Sequence, residues 1–240
     1  MNLKKIAIAA LVVFSITGCS AIQTSVKKRN LDVQTQMSET VFLDPVSLDK
    51  KTVFLQLRNT SDKQEVDVSS SVRSSIIAKG YKIVEDPSQA HYWIQANIRK
   101  VGKSDLREAK GVLNNGYGSA VVGGFAGAQF GSGKGAIGMG MLGAAAGLIG
   151  DALVEDVMYL MITDLQISEK AKAGVIITEA NKAELKQGTS GHKSVTSSEE
   201  VDRKKYQTRI VSTANKANLE FIEAKPELIT GLSRSIAGIL

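Results

Sequence analysis

Side chains that could carry catalysis or bind a metal are few in this 240-residue sequence and lie far apart. There is one cysteine, Cys19, and the two histidines are His91 and His192. A zinc or iron–sulfur site needs several such ligands together. His91 has no evident nucleophile partner, and beside Tyr92 and Trp93 it is more typical of a packed strand residue. The sequence therefore predicts no enzyme, no metal site and no cofactor other than a covalent lipid.

Cys19 stands where bacteria attach that lipid. Lys4-Lys5 precede the apolar residues 6–14, a run too short to span a bilayer. Residues 16–19 read Ile-Thr-Gly-Cys and resemble the lipoprotein box, in which cleavage before the cysteine is coupled to acylation of its sulfur. Ser20 follows, rather than the aspartate typical of inner-membrane retention. We therefore expect an outer-membrane protein anchored by several acyl chains on Cys19; the alternative is an ordinary signal peptide with a chance cysteine.

The positive charge does not indicate a nucleic-acid-binding protein. The formal net charge is +6, and its two clusters, at 27–29 and 203–205, lack the interleaved aromatic residues of a base-stacking surface. The first cluster is either a basic patch that meets anionic head groups near the anchor or part of a solvated tether. We expect outer-membrane lipids as a partner, and no nucleic acid.

Residues 111–150 have a composition unlike the rest of the chain. They hold 14 of the 22 glycines and one charged residue, Lys134, so they suit a nonpolar environment. Small residues recur four apart, which on a helix forms a flat groove that another backbone can approach closely. The residues of these rows are Ala120, Gly123, Gly124, Gly127, Ala128, Gly131, Gly135, Gly143 and Gly147. The pattern predicts a membrane-inserting helical hairpin whose small-residue faces form the interface of a homo-oligomer.

Two other interpretations of this segment remain open. It could be a helical hairpin buried inside a domain or assembly, since each arm of about 16 residues would be only about 24 Å long as a helix, short for a typical bilayer. It could also be a flexible glycine-rich loop. A phosphate-binding loop at residues 123–127 is excluded, because the Gly-Lys-Ser/Thr ending is absent. Ser132, Gly133 and Lys134 are the polar break between the arms, and we expect them to form an exposed turn.

Hydrophobic periodicity predicts an α+β fold: a mostly antiparallel sheet with helices packed on one face, interrupted by the glycine-rich hairpin. Alternation predicts strands at 52–58, 81–84, 91–101, 157–167 and 206–213, one near 40–43 and a weaker one at 172–178. Four-residue spacing predicts a helix over 68–77, ended by Gly80, and a terminal helix that starts at Pro226. The polar residues 180–205 predict a long hairpin or a mobile loop.

These features divide the chain into five parts. We expect a signal peptide at 1–18, a lipidated tether at 19–50, a first part of the α+β domain at 51–110, the glycine-rich hairpin at 111–154, and a second domain part at 155–240.

Several segments resemble the TraT family of outer-membrane lipoproteins, and together they span nearly the whole mature chain. They are residues 27–31, 35–40, 92–97, 155–157, 161–164, 185–191, 206–209 and 224–226. The resemblance implies a surface-exposed oligomer, a ring, that mediates surface exclusion in conjugation and contributes to complement resistance. It also implies that the hairpin inserts in the outer membrane, and the partner would be a donor-cell pilus or mating-pair component, or a receptor on the recipient surface.

One alternative function belongs to a different class. A structural lipoprotein that faces the periplasm and scaffolds the cell envelope would share the Cys19 anchor, with the hairpin buried in the assembly. Protease accessibility on intact cells separates the two, because an inward-facing scaffold is protected.

Overall fold

The computed structural model describes residues 28–119, 155–172, 175–187 and 191–240, with the backbone alone described over 179–187 and 191–200. Within these ranges the chain forms eight strands and three α-helices, which confirms the predicted α+β class. Of the hairpin predicted at 111–154, residues 120–154 lie outside the described ranges. The strands are β1 Asp32–Met37, β2 Thr52–Asn59, β3 Lys82–Ile83, β4 Tyr92–Ser104, β5 Asp156–Lys170, β6 Ile177–Gln187, β7 Gly191–Val201 and β8 Arg203–Ala217. The helices are α1 Ser69–Ala78, α2 Leu106–Asn115 and α3 Phe221–Ile239.

Six strands form one sheet in the order β1-β8-β5-β4-β2-β3. The pairs β1/β8, β8/β5 and β5/β4 are antiparallel, whereas β4/β2 and β2/β3 are parallel. The long strands β5 and β8 pair over their whole length and make the centre of the sheet. A bulge between Ile98 and Lys100 interrupts the ladder of β4 and β5.

One face of the sheet carries the main core. Alternate residues of β4, among them Tyr92 and Ile94, meet α1 and α3 on this face. Leu228, Leu232 and Ile236 of α3 are buried there, as the four-residue spacing predicts. Gly231 of α3 approaches the sheet so closely that a Cβ placed on it would clash with Thr35 Oγ1.

The opposite face is covered in part by α2. Ala109 and Val112 of this helix pack on Leu160, Ile162 and Val211 of the two central strands. The expectation that all helices lie on one face is therefore wrong. This helix also crosses residue 111, where the glycine-rich composition begins, so its last five residues belong to the packed domain.

Three boundaries differ from the sequence predictions. The strand predicted near 40–43 is not formed; β1 lies earlier, where Val33 and Met37 reach the core. The strand predicted at 172–178 is limited to the start of β6. The terminal helix begins at Phe221 rather than at Pro226, so this proline lies inside the helix, at its sixth position, and has no N–H to donate to the Ile222 carbonyl oxygen.

The polar region after β5 is a two-stranded hairpin, one of the two forms that the sequence allowed. Its strands β6 and β7 pair in antiparallel register from Ile177↔Val201 to Gln187↔Gly191. Eleven residues in each strand make an arm about 36 Å long, separate from the six-stranded sheet.

Candidate functional site

The residues predicted to carry the function lie outside the described ranges. They are Cys19, the small-residue rows Ala120, Gly123, Gly124, Gly127, Ala128, Gly131, Gly135, Gly143 and Gly147, and the turn Ser132, Gly133 and Lys134. Among the helices of residues 28–119 and 155–240 that are described, none has the length and apolar character that a membrane span requires. What the structure does describe is how the two ends of the glycine-rich segment are fixed to the sheet.

Arg209 of β8 is the centre of the first attachment. Its side chain is fully buried, and it stands directly opposite Asp164 in the register of β5 and β8. Arg209 Nε donates to Asp164 Oδ1 at 2.6 Å and Nη2 donates to Oδ2 at 3.1 Å, a bidentate pair. Arg99, from the bulge in β4, donates from Nη1 to Asp164 Oδ2 at 3.1 Å. Two arginines thus share one buried carboxylate.

Ser119 is the residue that this arginine holds. Arg209 Nη1 donates to Ser119 Oγ at 2.6 Å, and Nη2 donates to the Ser119 carbonyl oxygen at 2.9 Å. Ser119 is the last described residue before position 120, where the small-residue rows begin. Because a buried guanidinium without acceptors is costly, these bonds fix the chain to the sheet directly before residues 120–154, the part of the glycine-rich segment that holds the small-residue rows.

The loop before Ser119 needs two glycines to reach this position. Gly116 and Gly118 have φ values of +67° and +74°, in the left-handed region that side chains other than glycine rarely adopt. Gly116 ends α2, and Gly118 turns the chain towards Arg209.

Helix α2 leads into this loop, and the side chain of its N-cap residue, Asp105, fixes its start. The Asp105 carboxylate accepts from the backbone N–H of Glu108 at 2.8 Å. The Glu108 carboxylate in turn accepts from Ser104 Oγ at 2.8 Å and from Lys100 Nζ, so it is held in place on the sheet side. An aspartate followed three residues later by a glutamate is a helix-start signal, and hydrophobic periodicity alone did not predict this helix.

The second attachment is at Glu155, the first described residue after the glycine-rich segment. Its backbone N–H donates to Asn218 Oδ1 at 2.8 Å, and its carbonyl oxygen accepts from the Asn218 N–H at 2.8 Å. Asn218 has φ +53°, and asparagine tolerates this left-handed conformation better than most residues. Both ends of the segment are therefore fixed to the same sheet. One attachment lies beside Asp164 of β5 and the other at Glu155, so they are about nine residues apart along this strand, roughly 30 Å.

His91 and Trp93 belong to a different cluster, at the start of β4. The His91 ring packs edge-on against Tyr92 at 4.6 Å, as expected for a packed strand residue. Burial lowers the pKa of His91 below 6.5, and the nearby Lys50, Arg203 and Lys170 lower it further. Arg203 stacks over Trp93 at 3.9 Å and donates to the carbonyl oxygens of Ala90 and His91. This arrangement stabilises the turn before β4.

The described residues contain no group of histidine, cysteine or acidic side chains that could hold a metal ion. Asp164 and Arg209 were not identified from the sequence as functional residues. Each lies in a segment that carried the family resemblance. The two residues are 45 positions apart in the chain, and they pair only because of the register between β5 and β8, which the sequence pattern does not reveal.

The fold and these attachments define a class of protein: an α+β domain that holds a glycine-rich segment at both ends. Comparison with known proteins adds the family. A family model described as the enterobacterial TraT complement resistance protein matches residues 30–240. Proteins named TraT complement resistance protein from Escherichia coli and from its strain K12 are each 50% identical to this chain over 247 residues, a match that covers 100% of both sequences in each case.

A more distant protein of the same name comes from Wigglesworthia glossinidia brevipalpis. It is 31% identical over 254 residues, covering 100% of this chain and 97% of the relative. The chain belongs to the TraT family, which confirms the family assignment made from the sequence segments.

Proposed function

We propose that this chain is an oligomeric outer-membrane lipoprotein, exposed at the cell surface, that protects its cell from complement and excludes mating with cells that carry related plasmids. The observation that carries the complement role is the full-length likeness, at 50% identity, to proteins named for complement resistance. Surface exclusion is supported by the resemblance of the sequence to its family. The lipid anchor is supported by the box that ends at Cys19.

The double attachment of the glycine-rich segment supports a role as an inserted element. Arg209 holds Ser119 on one side, and Asn218 holds Glu155 on the other. A segment fixed at both ends to a packed sheet has less conformational freedom than a free tail, which lowers the entropic cost of ordering it in a membrane or an oligomer. The sheet would then be the platform that presents residues 120–154.

The oligomer would form through the small-residue rows of that segment. Glycine and alanine four apart let helices approach closely, and in a membrane such packing drives association. The Gly127→Leu substitution would place a bulky side chain in this contact. We expect it to reduce the oligomer, measured by crosslinking in membranes; normal assembly of this variant would argue against the glycine interface.

The turn at Ser132 and Lys134 would face the exterior and act in exclusion. It would either mask a receptor for the donor apparatus or bind a protein at the donor tip. Replacing the turn residues should then change which donor plasmids are excluded while the oligomer stays intact. Unchanged specificity across several replacements would contradict this role.

The complement role is tested in a strain that lacks its own copy of the gene. Producing this chain should raise survival in human serum at least tenfold over the empty vector, and heat-inactivated serum should remove the difference. The Cys19→Ser variant, which has no acylation site, should lose the protection. A matched control is Arg73→Gln on α1, because the Arg73 side chain is 43% exposed and only weakly paired with Glu85 at 3.6 Å.

Equal survival with and without the chain, at matched protein levels, would overturn the complement role. A mating assay on the same strains tests exclusion separately. Protection of the protein from protease on intact cells would favour the alternative, a periplasm-facing scaffold of the envelope.

A further inference from the structure

The outer face of the sheet, on which α2 packs, is open beyond this helix. There it forms a polar cleft of about 320 Å³, a size in the range of small-ligand sites. The side chains that matter for binding come from three strands and from the loop after α2. They are Gln56 and Arg58 of β2, Gln95 and Arg99 of β4, Gln166 of β5, and Tyr117.

Four glutamines cross this face as one row, which we call the glutamine row: Gln207, Gln166, Gln95 and Gln56 on neighbouring strands. Each amide donates to the next oxygen in one direction, at 2.7, 3.0 and 2.8 Å. A glutamine amide has two N–H donors and an oxygen with two lone pairs. The row uses at most one N–H donor and one oxygen lone pair of each glutamine. Each residue therefore keeps a donor and an acceptor for a ligand, and these groups repeat at the strand spacing of about 4.8 Å.

The charges beside the row are not balanced. Arg58 is exposed, and its guanidinium belongs to none of the ion pairs between described residues. Arg99 contacts Asp164, but that carboxylate is already held by the buried Arg209. Arg58, Arg99 and Arg209 thus carry three positive charges against the single carboxylate of Asp164, and this net positive charge favours an anionic group on the ligand.

Aromatic residues border the other side of the row. Trp93 precedes Gln95 by two residues and so lies on the same face of β4. Its ring packs edge-on against Phe54 of β2 at 6.5 Å, and Arg203 covers one ring face. The outer face thus presents, in order along the strands, an aromatic border that Arg203 partly covers, a row of amides and a pair of arginines.

We propose that this face binds an acidic oligosaccharide. Sugar hydroxyls donate and accept, which matches the remaining capacity of the glutamine row, and sugar C–H faces suit the aromatic border. A carboxylate on the sugar would meet Arg58 and Arg99. An acidic peptide fits less well, because extended peptides add to a sheet edge through backbone bonds and this face lies within the sheet.

The proposal stands apart from the complement and exclusion roles, and its test uses the full chain in detergent. Trp93 is the single tryptophan, so its fluorescence reports binding at this face. The probe is trigalacturonic acid, with neutral maltotriose and a blocked tri-aspartate peptide as comparisons. We expect saturable binding of trigalacturonic acid, and at least tenfold weaker binding of the other two. No saturable binding, or a tri-aspartate affinity equal to that of the saccharide, would overturn the proposal.

Matched variants locate the binding. Arg58→Gln removes the exposed charge and should weaken trigalacturonic acid binding at least fivefold. Arg73→Gln makes the same change in net charge on α1, where the side chain is also accessible to solvent, and should change the affinity less than twofold. Equal losses in both variants would show nonspecific attraction and refute the site. Loss of the oligomer in Arg58→Gln, with saccharide binding unchanged, would assign this face to a second copy of the chain instead.

Discussion

The attachment of Ser119 to Arg209 makes a quantitative prediction. The Ser119→Ala substitution removes the hydroxyl that accepts from Nη1 at 2.6 Å, while the carbonyl contact at 2.9 Å can persist. A hydrogen bond to a charged group contributes about 1.5–3 kcal/mol, and here the donor is fully buried. Because about 1.4 kcal/mol is a factor of ten, the opening equilibrium around Ser119 should rise about 10- to 100-fold.

Hydrogen exchange measured by mass spectrometry on peptides covering residues 112–119 reads out this opening. The Gly116 N–H bonds to the Leu113 carbonyl oxygen at 3.1 Å, so it supplies a protected amide next to the loop. Ser88→Ala is the control, because Ser88 also bonds a charged side chain, that of Asp86, but is exposed. We expect the 112–119 peptides to exchange faster in Ser119→Ala than in Ser88→Ala. Equal exchange rates in the two variants would refute the attachment.

The ion pair behind Ser119 gives a stronger perturbation. Arg209→Met leaves the Asp164 carboxylate buried with Arg99 as its remaining partner, and breaking a buried pair in this way costs about 3–5 kcal/mol. Replacing both partners, as Arg209→Met with Asp164→Leu, should recover part of that loss in urea unfolding. A double variant no more stable than Arg209→Met would contradict the assignment of the cost to an unpaired buried charge.

Three further predictions concern the core and the cluster at β4. Gly231→Ala should destabilise the fold by about 1–3 kcal/mol, since its Cβ would meet Thr35 Oγ1, whereas Gly238→Ala on the same helix, with nothing within 4 Å, should be neutral or stabilising in urea unfolding. Thr163→Val should raise stability by about 1 kcal/mol, because the buried Thr163 hydroxyl has no partner among the described residues; a loss of stability would contradict this. His91 should titrate by NMR below pH 6.5, and stability should fall as the pH drops through 6.5, because the unfolded state then binds the proton more tightly; a midpoint at or above 6.5 would be inconsistent with its burial.

The central strands were predictable because their pattern is long and regular. Apolar residues alternate along β4, and burial follows that alternation. β5 is buried on both faces over most of its length, because α2 covers part of the second face. The helix α1 ends next to Gly80, whose φ of +83° explains the stop signal. These features are local, so a single sequence contains them.

Features that depend on distant contacts were missed. β1 carries polar residues such as Thr35 on its core side, and its place is set by pairing with β8. Helix α2 buries only Ala109 and Val112, too few for periodicity to reveal, and it contains Gly111. The Asp164–Arg209 pair, likewise, exists only once the register of β5 and β8 is known. The buried ion pair that holds Ser119 could therefore not be predicted from sequence patterns.

The proposed function depends above all on the glycine-rich segment placing its turn on the outside of the cell. The direct measurement is labelling of a Ser132→Cys variant on intact cells with a membrane-impermeant maleimide. The parent chain, whose Cys19 would be acylated and unreactive, is the control for background. We predict labelling at position 132 of this variant on intact cells, at a level unchanged when the envelope is opened. Labelling that occurs only after opening would place the turn inside and contradict the surface role in favour of a periplasmic scaffold.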